Sequence, residues 1–123
     1  MIIDDYAHHP EEVEATLRAA KSGWKNRIIT VFQPHLFTRT RDFYKNFANA
    51  FLLTDLLFVT DIYPAREKPI KGISSKLIID ELKKLGYKNA TLVKNQNDIP
   101  SKLKNIVIDN DIIITMGAGN IWR

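Results

Sequence analysis

Five short apolar runs punctuate the chain, and between them apolar residues return every three or four positions. Ile28-Ile29-Thr30-Val31-Phe32, Leu56-Leu57-Phe58-Val59-Thr60 and Ile112-Ile113-Ile114-Thr115-Met116 show little polar alternation, as expected of strands covered on both faces of a parallel sheet. Residues 1–5 and 90–93 read as two further strands. The sets Val13/Leu17/Ala20, Phe43/Phe47/Phe51, Ile78/Leu82/Leu85 and Ile99/Leu103/Ile106 each lay an apolar stripe along one side of a helix. Strand and helix alternate without an internal repeat or linker. The pattern predicts an α/β fold: a Rossmann-like, open, mainly parallel sheet with helices on both faces, in a single domain.

Local signals sharpen the boundaries. Pro10 suits the first turn of a helix, where its missing N–H is not needed, and Glu11 and Glu12 complement the positive end of that helix. Pro64, Pro69 and Gly72 break the stretch from Ile62 to Ser75 into the longest expected loop, after which Ser74 or Ser75 caps the next helix.

Composition adds exclusions. A chain of 123 residues suits one core, enough to bury roughly two thirds of its unfolded surface. With 45% hydrophobic and 26% charged residues it reads as an ordinary globular protein, and no apolar run approaches the roughly 20 residues that span a bilayer. No signal peptide is legible in Met1-Ile2-Ile3, so a cytoplasmic protein with no membrane partner is expected. The absence of cysteine removes disulfides, thiolate metal sites and a cysteine nucleophile. The net charge of +4 is carried largely by helix-face lysines such as Lys83-Lys84 and Lys102/Lys104, with no interleaved aromatics, so no nucleic-acid partner is expected.

The candidate chemistry gathers where strands give way to helices. Asp4-Asp5-Tyr6-Ala7-His8-His9-Pro10 crowds carboxylates, a phenol and imidazoles behind the first strand. Gln33-Pro34-His35-Leu36-Phe37-Thr38-Arg39-Thr40-Arg41 follows the second, and Gly117-Ala118-Gly119-Asn120-Ile121 the last. In an open α/β sheet these are the ligand-gathering edges. Adjacent His8 and His9 rarely converge on one ion and have no further ligand cluster at a suitable spacing, so no metal site is expected. Arg39 offers a guanidinium fork for a carboxylate or phosphate, with Arg41 a surface or ion-pair residue. Gly117-Ala118-Gly119 could bring backbone N–H groups to an anion, or simply make a tight turn. There is no Gly-x-x-x-x-Gly-Lys-Ser/Thr phosphate loop.

Those three blocks, in that order, resemble the C-terminal domain of the Mur ligases, ATP-dependent enzymes that add amino acids to the muramoyl peptide of bacterial cell wall. The Gln33-Pro34-His35 and Thr38-Arg39-Thr40 pieces, and more weakly Tyr63-Pro64-Ala65-Arg66-Glu67, resemble the alanine-adding branch. Leu36 departs from relatives that carry arginine there. The resemblance implies that residues 1–123 are the C-terminal domain, incomplete at its own C-terminus, with the UDP-sugar and central ATPase domains outside it. An uncovered apolar surface, and hence self-association, is part of that expectation. It further implies ATP and Mg2+ in the full-length enzyme, the metal ligands and the phosphate loop lying outside this chain, with UDP-N-acetylmuramate and L-alanine as the other partners. By the same resemblance Asp5 and Tyr6 contact the nucleotide, Asp5 through the ribose hydroxyls, and His8, His9, Arg39, Gly119 and Asn120 contact substrate; no catalytic residue is expected in this domain. The competing role for Asp5 is a turn or helix cap, which is also the role expected of Asp4. Two alternatives stand beside this function: a ligase of the same family that recycles a preformed tripeptide, and a free-standing nucleotide-binding module without catalysis.

Overall fold

The computed structural model describes residues 1–117. Five strands form one all-parallel sheet: β1 (Ile2–Asp5), β2 (Ile28–Phe32), β3 (Leu56–Thr60), β4 (Ala90–Val93) and β5 (Ile112–Met116), in the spatial order β1-β5-β2-β3-β4. Four α-helices connect them: α1 (Pro10–Gly23), α2 (Phe37–Phe51), α3 (Lys76–Lys84) and α4 (Ile99–Ile106), the last preceded by a short 3-10 turn, Gln96–Asp98. The expected α/β architecture is the one found.

Strand order explains which face each helix covers. The chain steps from β1 to β2, β3 and β4 in one direction across the sheet, then returns to place β5 between β1 and β2. Parallel crossovers are right-handed, so the three outward steps put α1, α2 and α3 on one face and the return step puts α4 on the other. The cores match. Ile28 and Phe32 of β2, Leu57 and Val59 of β3, and Ile112, Ile114 and Met116 of β5 pack beneath Val13, Leu17, Phe47, Phe51, Ile78 and Leu82. The alternate positions Ile29, Val31, Phe58 and Ile113 face Ile99 and Leu103 of α4. Both faces of the central strands are dry, which is why their sequences run apolar without a break.

Two expected core positions turn outward. Phe43 is 41% exposed, and Tyr44, one residue on, packs against the core in its place. Both lie a helical turn before Phe47, and the stripe takes only one of them. Leu85 is 43% exposed because α3 ends at Lys84 and Leu85 is its C-cap. The two serines before α3 divide the expected work: Ser74 Oγ accepts the Lys76 N–H (3.2 Å), whereas buried Ser75 donates to the Thr60 carbonyl and ties α3 to the end of β3.

Candidate functional site

The spatial order puts the carboxyl ends of β1, β5 and β2 side by side, and with them the three motifs that are far apart in sequence. Gly117 joins them. Its N–H donates to the Asp5 carbonyl (3.2 Å), while Gln33 N–H donates to the Met116 carbonyl (2.9 Å). A Cβ at position 117 would stand 3.2 Å from both Cβ and the carbonyl oxygen of Gln33, and the backbone there has φ +156°, so glycine lets the two strand ends close together. Gly119 and Asn120, with Ala118, Ile121 and Trp122, lie outside the described residues.

Asp5 shapes the first turn of the site. Its Oδ1 accepts the Ala7 N–H (2.8 Å) and its Oδ2 accepts the Thr16 hydroxyl (2.8 Å), so one carboxylate folds the chain back on itself and pins it to α1. Each oxygen keeps a second lone pair. Asp4, expected as a turn or cap residue, instead accepts the hydroxyl of Thr115 on the neighbouring strand β5 at 2.9 Å. Tyr6 is 69% exposed, its ring edge-on to His8 at 5.1 Å.

The histidines follow from this turn. His8 Nδ1–H donates to the Tyr6 carbonyl (2.8 Å), which fixes the proton on Nδ1 because a carbonyl can only accept. The Glu12 carboxylate accepts the N–H groups of His8 (3.2 Å) and His9 (3.0 Å), closing the start of α1 and holding Glu12 below the usual carboxylate range. The His8 ring then lies 4.9 Å from His9 and 5.6 Å from His35, which arrives from the end of β2. His35 in turn meets Tyr63 edge-on at 5.7 Å. Among the described residues no group of three or more His, Cys, Asp or Glu side chains is arranged to hold a metal ion.

Arg39 completes the cluster from the first turn of α2. Its Nη1 is buried and has no hydrogen-bond partner among the described residues, and the same holds for His35 Nδ1. Burial, first, and then the positive charge of Arg39 and of His8 push the His35 pKa below its ordinary value. A cation in the first turn of a helix also opposes the helix dipole. Arg41, by contrast, pairs with Asp42 at the surface (2.9 Å), as the sequence predicts.

One residue of the site was not anticipated. The N-cap of α2 is Leu36, which has φ 73° and a side chain that cannot cap a helix. Glu67, from the loop after β3, accepts the N–H groups of Phe37 and Thr38 with one carboxylate oxygen and the Thr38 hydroxyl with the other. These donors hold its carboxyl below the usual range. The sequence holds a signal for this: no Ser, Thr, Asp or Asn stands just before Phe37, where α2 begins, so its cap has to come from elsewhere in the chain.

Two grooves flank the cluster. One of about 370 Å3 opens among Gln33, Thr60, Tyr63, Asn95 and Gln96, and one of about 230 Å3 lies between His9, Pro10 and exposed Phe43. A larger hollow of about 530 Å3 sits at the opposite edge of the sheet beside Arg27, whose guanidinium is already committed to Asp111 (2.7 Å).

With that geometry in place, comparison with known proteins decides the family. Residues 1–119 match the profile of the Mur ligase, glutamate ligase domain. The chain belongs to the Mur ligase family. It is 47% identical over 123 residues to the UDP-N-acetylmuramate--L-alanine ligase of Geotalea uraniireducens (strain Rf4), covering 100% of this chain and 27% of that protein. The ligase of the same name from Geobacter sulfurreducens is 46% identical, across 99% of this chain and 27% of the relative. The chain therefore spans about a quarter of the length of the curated relatives it matches. Among solved structures, a murein peptide ligase from Psychrobacter arcticus 273-4 superposes with a TM-score of 0.77 at 18% identity, over 98% of this chain and 25% of that one. That likeness bears on the Mur ligase fold alone.

Proposed function

We propose that this chain is the C-terminal domain of an ATP-dependent ligase that joins L-alanine to UDP-N-acetylmuramate, supplying amino-acid contacts and part of the nucleotide site. The observation that carries the reading is half-buried Arg39 beside His35 at the ligand edge of the sheet, its Nη1 buried and without a hydrogen-bond partner among the described residues. A buried donor left unpaired costs about 1–3 kcal/mol, and a carboxylate or phosphate oxygen is the acceptor that suits a guanidinium best. Identity of 46–47% to proteins named as alanine-adding ligases favours alanine over a preformed tripeptide.

In the reaction proposed, the muramate carboxylate takes the terminal phosphoryl group of ATP to give an acyl phosphate, and ADP leaves. The alanine amine then attacks the acyl carbon, the C–O bond to phosphate breaks, and the nitrogen gives up a proton as the amide forms. Arg39 presents positive charge and N–H donors toward the anionic groups of these species, with the His8 and His35 rings beside it. Asp5 retains acceptor capacity for ribose hydroxyls beside the exposed Tyr6 ring. His9, Gly119 and Asn120 are proposed as further substrate contacts. Magnesium would be held by residues outside this chain. Phosphate release by the full-length enzyme, with UDP-N-acetylmuramate and either L-alanine or a tripeptide, tests the reading. Alanine-dependent release is expected; release driven by the tripeptide alone, or none with either, contradicts it.

A further inference from the structure

We propose that Glu67 is a positioning residue for this ligand edge: it fastens the first turn of α2 and thereby sets the direction of Arg39, without itself touching substrate. The inference rests on the function proposed above. It starts from a mismatch between Leu36 and its place in the fold. A helix start leaves several N–H groups without partners, and Leu36 has no side-chain oxygen to offer them. Its φ of 73° is also one that a leucine rarely adopts, a conformation that persists only where the surroundings impose it.

The loop after β3 imposes it. Tyr63 N–H donates to the Pro34 carbonyl (2.8 Å) and Leu36 N–H donates to the Tyr63 carbonyl (2.9 Å), so a single parallel bridge clasps the residues before α2. Ala65, with φ 54°, then turns the chain so that Glu67 N–H returns to the Pro64 carbonyl (2.9 Å). That turn aims the carboxylate at α2. Glu67 spends both oxygens on Phe37 and Thr38, the two residues immediately before Arg39. Its acceptors point at backbone and at Thr38, so the residue acts on Arg39 through the helix. The same loop carries Tyr63 against His35, and one segment thus orders Arg39 and His35, each with a buried nitrogen that lacks a partner among the described residues. A second consequence concerns recognition. With Glu67 on the terminal N–H groups of α2, a substrate anion is read by the Arg39 side chain and not by the helix end.

Two sets of measurements on Glu67→Ala, Glu67→Gln, Arg39→Ala and the Glu67→Ala/Arg39→Ala double variant test this. In the full-length ligase, Glu67→Ala is expected to raise the KM for L-alanine by about tenfold with kcat nearly unchanged, and Glu67→Gln, which keeps one acceptor oxygen, to recover most of that loss. The double variant should be no worse than Arg39→Ala alone, because both changes remove one contact. Losses that multiply would overturn the proposal, as would a Glu67→Gln no better than Glu67→Ala. The second set uses the 123-residue chain and needs no turnover. Glu67→Ala should expose the Phe37 and Thr38 amides to hydrogen exchange and shift the Arg39 Nε–H resonance. An unmoved Arg39 resonance sinks the positioning role even if ligation proceeds normally, whereas a shifted resonance in an enzyme indifferent to alanine contradicts the proposed substrate and leaves the Glu67–Arg39 link standing.

Discussion

Asp5 does more structural work than a ribose contact requires. Its two bonds, to Ala7 N–H and the Thr16 hydroxyl, set the turn from which Tyr6, His8 and His9 project. Asp5→Ala should therefore lower the stability of the 123-residue chain by about 1–3 kcal/mol, measured by urea unfolding, in addition to any effect on nucleotide affinity. An unchanged midpoint would show that the turn holds without it. His35 supplies a pH signature. Burial, Arg39 and His8 lower its pKa in the folded chain from the ordinary 6.5, while Glu67 acts weakly the other way. The unfolded chain then takes up the proton first as pH falls, so the stability contributed by neutral His35 is full above 6.5 and declines as pH drops through that value toward the folded pKa. Glu12 and Glu67 work in a separate, more acidic window, since their folded pKa values lie below 4.5 and their contribution is lost only as pH falls through those lower values. His35→Gln should flatten the loss of stability as pH falls below 6.5 in urea titrations. A slope that persists in the variant would assign it to other groups. At this scale the sequence was legible in part: it marked Arg39 and separated Arg41 from it, yet it could not show that Asp5 was already engaged, because Thr16 lies eleven positions away on another element.

At the scale of elements, α2 is the link between core and site. Its Phe47 and Phe51 pack against Phe32 at ring separations of 5.0 Å, which seats the helix whose first turn bears Arg39. Phe47→Ala removes a fully buried ring and should cost about 3–5 kcal/mol. Phe43→Ala, at a half-exposed position on the same helix, should stay near the roughly 0.5 kcal/mol of a surface change. Equal losses in chemical denaturation would mean that the apolar stripe of α2 is misassigned. Among the described residues, the central strands β2, β3 and β5 and the four α-helices were readable from periodicity, because strands buried on two faces and helices buried on one leave different patterns; the edge strands β1 and β4, partly exposed, carry a weaker one. The spacing of three and four could not choose between Phe43 and Tyr44. That choice depends on what the neighbouring elements place opposite, which lies outside the helix's own sequence. The cap supplied by Glu67 was hidden for a related reason: a helix start and its acceptor lie some thirty residues apart in this chain.

For the whole molecule, strand order decides which motifs meet. Returning β5 between β1 and β2 brings Asp5, Gly117 and Gln33 into contact, and the histidines and Arg39 gather above them. Periodicity predicts a sheet but not this order. The resemblance to a family implied that the three blocks serve one enzyme site, without giving the order. The central claim is that Arg39 uses its guanidinium fork on an anionic group in alanine ligation, and it is tested most directly by Arg39→Lys in the full-length ligase, since lysine keeps the charge and loses the fork. The account predicts that kcat/KM for L-alanine falls about tenfold, equivalent to about 1.4 kcal/mol, while stability changes by no more than about 0.5 kcal/mol. Unchanged alanine kinetics accompanied by a large loss of stability would contradict it, and would make Arg39 a residue that holds the fold together.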